Sequence, residues 1–81
     1  MLFHITQVHV PESCPRDDGG FKTLFNPDVK GLALVKVYGA FSEHKLHYVV
    51  EADNMEAVNK FLHPGLRRCS HVITPVIDQP F

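Results

Sequence analysis

Three side chains in this sequence have the chemistry of soft-metal ligands. His9 and Cys14 lie in Val8-His9-Val10-Pro11-Glu12-Ser13-Cys14-Pro15, and His44 lies in a later polar stretch, Ser42-Glu43-His44-Lys45. Imidazole nitrogen and thiolate sulfur are the common protein donors for zinc, copper and iron. A mixed N/S set suits copper or zinc better than magnesium or calcium, which take oxygen ligands. No pair has zinc-finger or HExxH spacing, so the site depends on the fold bringing separate segments together. Pro11 and Pro15 supply a bend that can carry Cys14 back toward His9. His47, Cys69 and His71 are candidate further ligands. No motif for an organic cofactor is present.

The same residues support two other readings. A histidine in an apolar pocket is a general base near neutral pH, and a cysteine beside it is an activated nucleophile or redox thiol. That would make the chain a metal-independent small-molecule enzyme. Alternatively, each histidine is a hydrogen-bonded surface or core group, Cys14 is small filler, and the domain only oligomerises. Tyr38 and Tyr48 are candidates to orient a ligand, Arg67-Arg68 to meet an anion, and Glu51 to act as a base or ion-pair partner.

Positioning these groups falls to four strands. Residues 2–10 are rich in β-branched and aromatic side chains and stop at Pro11. Leu2, His4, Thr6, Val8 and Val10 share one face of this strand, and Phe3, Ile5, Gln7 and His9 share the other. Asp17-Asp18-Gly19-Gly20 is a turn signal. The spacing of Phe21, Leu24 and Phe25 predicts a short helix at about 19–26, ended by Asn26-Pro27. Residues 32–39 and 46–52 read as strands joined by a hairpin loop at 40–45. Asp53 is the expected N-cap of a second helix, with Glu56 completing a capping box. Ala57, Val58, Phe61 and Leu62 form its buried stripe, and His63-Pro64-Gly65 stops it. Residues 70–77 read as a last strand, placed at a sheet edge by Pro75.

The order is β-α-β-β-α-β. It predicts a single α+β domain over residues 1–81, the ferredoxin-like plan with helices on one face of a four-stranded antiparallel sheet of order 4-1-3-2. In that order the end of the first strand lies beside the starts of the third and fourth. One end of the sheet then collects His9, Cys14, His44, His47, Cys69 and His71. The uncovered sheet face holds apolar side chains and predicts a partner. Two sheets packed face to face make a homodimeric barrel, or a unit of a higher homo-oligomer.

The chain has 81 residues, 44% hydrophobic and 21% charged, so it is globular rather than disordered. A net charge of −1 argues against nucleic acid and anionic membrane as partners. No apolar run approaches the length of a membrane span, about 20 residues. Met1-Leu2-Phe3-His4-Ile5 lacks the pattern of a secretory signal, so a cytoplasmic location is expected, with both cysteines as thiols.

The opening Met-Leu-Phe-His-Ile with Val10-Pro11, and the close Val72-Ile73-Thr74-Pro75-Val76, resemble muconolactone isomerase and its relatives, which are small dimeric α+β barrels. Short proteins of the same superfamily show a closer likeness, with His-x-Pro-Glu-x-Cys-Pro after the first strand and Glu-His before a Tyr-x-Val-Glu-Ala strand. Here these are His9 to Pro15, Glu43-His44, and Tyr48 to Ala52. The likeness covers nearly the whole chain and implies the dimeric barrel fold. The first helical region is much shorter than in the isomerases and is interrupted by Gly19-Gly20. No isomerase catalytic residue is therefore carried over.

Overall fold

The computed structural model describes residues 1–80. Four strands form one antiparallel sheet: β1 (Leu2–Val8), β2 (Leu32–Ala40), β3 (Lys45–Ala52) and β4 (Ser70–Val76), in the order β2-β3-β1-β4. β1 is central. It runs from Leu2↔Glu51 to Val8↔Lys45 against β3, and from Leu2↔Val76 to Val8↔Ser70 against β4. Pro75 sits on the edge strand β4, where its missing N–H costs least. The β2–β3 ladder slips at Leu34/Lys36, leaving Val35 as an exposed bulge residue.

Side-chain alternation divides the sheet. Phe3, Ile5 and Gln7 of β1 are buried on the inner face, together with Leu46, Tyr48, Val50 and Ala52 of β3. The one α-helix among the described residues, α1 (Met55–Leu62), covers that face with Ala57, Val58, Phe61 and Leu62, the stripe its spacing predicts. Phe25, Tyr48 and Phe61 pack as an aromatic trio, with centroid separations of 5.1, 5.4 and 5.1 Å. On the outer face, His4, Thr6 and Val8 lie beside His47, Val49 and Val72. These residues are half-buried or exposed.

Two local expectations are corrected. No α-helix forms at 19–26. The connection from β1 to β2 is instead built from 3-10 turns at Pro11–Ser13, Pro15–Asp17 and Phe21–Leu24. Gly19 and Gly20 hold φ of 95° and 79°, outside the helical region, so no helix can run through them. Tertiary bonds fix the segment instead. The Gln7 amide donates to Leu24 O at 2.9 Å, and Asn26 N–H donates to Phe61 O at 2.7 Å. The cap of α1 is Asn54 rather than Asp53, its Oδ1 accepting from Ala57 N at 2.9 Å. Asp53 is occupied elsewhere, its N–H donating to Gly31 O at 2.9 Å. Glu56 thus stands too early for a capping box and pairs with Lys60 at 3.3 Å.

Among the described residues, no helix is long and apolar enough to cross a membrane. Asn54→Ala should lower unfolding stability by about 1 kcal/mol in urea denaturation, whereas Asp53→Ser, which retains the backbone bond, should cost less than half of that.

Candidate metal centre

His9 stands just past β1. Its N–H donates to His44 O at 3.1 Å, which extends the β1–β3 ladder by one rung. His44 closes the 3-10 turn Phe41–Glu43, its N–H donating to Phe41 O at 3.3 Å. It is the only non-glycine among the described residues with positive φ, at 53°. Left-handed backbone is uncommon outside glycine, although histidine is among the residues enriched there. Cys14 sits between the turns Pro11–Ser13 and Pro15–Asp17, each opened by a proline, and its N–H donates to Pro11 O at 3.2 Å. The two prolines thus form the bend that returns the thiol toward His9.

The three side chains converge. One donor atom from each of His9, Cys14 and His44 lies within 4.8 Å of the other two. His44 Nδ1 and His9 Nε2 are 3.3 Å apart, with the rings edge to face at 79°. This contact is a ring-to-ring hydrogen bond whose donor depends on the tautomers, and its length also matches the separation of about 3.3–3.4 Å between two nitrogens on a tetrahedral zinc with Zn–N bonds of about 2.0–2.1 Å. His9 Nδ1 is buried and has no hydrogen-bond partner among the described residues. Such orphaned polar atoms are rare in native interiors. If Nε2 binds a metal, Nδ1 must carry the proton.

Burial lowers the pKa of His9, helped by the neighbouring His44 and Arg68. The shift favours the neutral form of His9, which is the form that binds metal. The trio lines a cavity of about 320 Å³ whose other walls include Phe21, Leu24, Phe41 and Leu46. Three protein donors leave one position of a tetrahedral ion for water or a ligand, and the cavity gives that ligand room.

The three candidate further ligands lie outside this cluster. His47 is paired with Thr6 on the outer face, where its ring stacks on His4 at 5.6 Å and its Nδ1 is 3.5 Å from Thr6 Oγ1. His71 faces Gln7 across β1–β4, with its Nε2 3.0 Å from the Gln7 amide nitrogen. Cys69 packs against the core, and burial pushes its thiol pKa up, against a smaller opposing effect of Arg68. Both cysteines are free thiols.

Gln7, which was not among the candidates, forms a buried polar centre with Tyr48 and His71. Gln7 is fully buried. Its amide nitrogen bonds Leu24 O and His71 Nε2, and its Oε1 accepts from Tyr48 OH at 2.6 Å. Leu24 O can only accept, which fixes the NH2 side of the amide. His71 Nε2 is then an acceptor and its proton sits on Nδ1. Burial lowers the His71 pKa and, together with the nearby Cys69, raises that of the Tyr48 hydroxyl. Tyr48 is thus a structural anchor, not a ligand-facing group. Gly65 packs so closely here that a Cβ would stand 2.8 Å from Gln7 Nε2 and 2.6 Å from Leu24 O. The sequence signal for this centre was one polar residue in the buried register of Phe3 and Ile5.

Of the other candidates, Tyr38 is exposed, with Lys36 Nζ 5.8 Å from its ring centre. Arg68 reaches Asp18 at 4.0 Å, and Glu51 pairs with the amino group of Met1.

The pKa values of His9 and His71 are both lowered from 6.5. As pH falls below that value the unfolded chain takes up these protons first, so stability falls with pH from there down to the folded pKa values. In metal-free protein the imidazole resonances of His9 and His71 should titrate below those of a model histidine. Urea midpoints should drop as pH falls through about 6.5 and below, and less so in His71→Gln. Comparison with family models, with curated proteins and with solved structures finds no match.

Proposed function

We propose that this chain is a small homodimeric protein of ferredoxin-like plan that holds one zinc or copper ion through His9, Cys14 and His44 and offers its open position to a small molecule. One observation carries the reading: two imidazoles 3.3 Å apart and a nearby thiol converge on the wall of an apolar cavity. A reducing cytoplasm would keep Cys14 available as a thiolate donor. The chain's own residues bind and orient the ion. Burial favours the neutral form of His9, and the backbone bond between His9 and His44 sets the two residues side by side. A bound ion supplies Lewis-acid polarisation or a site for an anionic ligand.

Dimerisation is part of the proposal. Among the described residues no helix lies on the outer sheet face, which mixes Val49 and Val72 with His4 and His47. A domain of this size buries a thin core and gains by covering such a face. The resemblance of the sequence to dimeric α+β barrels supports this part of the reading.

A second reading treats the same cavity as a metal-free active site with His9 as general base, favoured by the lowered pKa of His9 in an apolar setting. Metal titration separates the two. Wild type should bind one zinc per chain. His9→Ala, Cys14→Ser and His44→Ala should each weaken binding by at least about tenfold, while His47→Ala, Cys69→Ser and His71→Gln should not. No binding by wild type, or unchanged binding in all three ligand variants, returns the site to the metal-free reading.

Light scattering should give about twice the chain mass for wild type. Val72→Lys, which places a charge on the outer face, should shift the population toward monomer. A monomeric wild type would exclude the barrel.

A further inference from the structure

The cavity beside the trio has a charge pattern that metal binding does not use. Apart from the trio, the charged groups lining it are Arg16 and Lys45, and no carboxylate lines it among the described residues. Lys45 is engaged by Glu43 at 3.6 Å. Arg16 makes no ion pair among the described residues. Its guanidinium carbon lies 5.5 Å from the centre of the Phe41 ring, a contact that steadies the group without using its N–H donors. The nearby walls are Phe21, Leu24 and Leu46. A divalent ion held by two neutral imidazoles and one thiolate keeps a net positive charge. Cationic groups thus gather around an apolar space with one guanidinium unpaired.

We infer that the cavity takes a small carboxylic acid with an apolar body, an aryl or branched-alkyl carboxylate. The planar carboxylate meets the N–H fork of Arg16, and the body packs on Phe21, Leu24 and Leu46. A monoanion fits better than a phosphate dianion, because apolar walls cannot compensate a second desolvated charge. The cavity volume, about 320 Å³, is at the small end of ligand sites, which span about 300–1,000 Å³. The inference rests on the metal reading for what would act on the ligand; the Arg16 contact itself needs no metal.

The test is calorimetry with 3-phenylpropionate and its uncharged amide, 3-phenylpropionamide, on zinc-loaded and metal-free protein. The acid should bind at least about tenfold more tightly than the amide. In Arg16→Gln that preference should fall below about threefold, with zinc affinity unchanged. Equal binding of acid and amide, no binding of either, or a preference that survives Arg16→Gln overturns the inference. A preference that survives only in zinc-loaded protein puts the carboxylate on the metal, and one that survives in both forms puts it on Lys45. Zinc binding without an Arg16-dependent preference leaves the metal reading standing and removes this one. An Arg16-dependent preference in protein that binds no zinc does the reverse.

Discussion

The site depends on one backbone hydrogen bond, from His9 N–H to His44 O. It adds a rung to the β1–β3 ladder beyond the last strand pair, Val8↔Lys45. Ladder geometry sets neighbouring backbones about 5 Å apart, so two side chains at that rung must be neighbours. The two imidazoles need only rotate their rings to share a ligand. Cys14 arrives from outside the sheet, positioned by two prolines that each open a 3-10 turn. Rigid sheet on one side and proline-limited backbone on the other keep the three donors together without a helix.

The cavity depends on a second constraint. The connection 9–31 contains no α-helix and cannot hold its place by its own backbone ladder. Gln7 fastens it to the sheet by bonding Leu24 O, and Tyr48 and His71 satisfy the rest of that amide. A buried amide left half-bonded would cost about 1–3 kcal/mol, so these residues act as one unit. The aromatic trio of Phe25, Tyr48 and Phe61 seals the same contact from the helix side. Leu24 thereby becomes both core and cavity wall, which links the stability of the fold to the shape of the site.

Strand periodicity was legible in the sequence because alternating burial writes directly onto residue type, as in Phe3, Ile5, Tyr48 and Val50. The stripe of α1 was equally clear. The stretch 19–26 was not, because Phe21, Leu24 and Phe25 have helical spacing while Gly19 and Gly20 forbid a helix at its start. Here tertiary bonds override local pattern. The cap falls one residue later, on Asn54, while the Asp53 N–H is bound to Gly31 O, a contact with no local signature. For the candidate site, the convergence of His9, Cys14 and His44 was legible from residue type plus strand order. His47 was not separable from them, since being near the same end of the sheet does not say which face a side chain takes. Its pairing with Thr6 puts it on the other face. Gln7 was overlooked because its chemistry is structural.

Zinc-edge X-ray absorption on protein loaded with one equivalent tests the central claim most directly. Two imidazole nitrogens at about 2.0–2.1 Å, one sulfur at about 2.3 Å and one further light atom are the predicted shell. A shell without sulfur, or with two sulfurs, would contradict the assignment of His9, Cys14 and His44 as the metal centre.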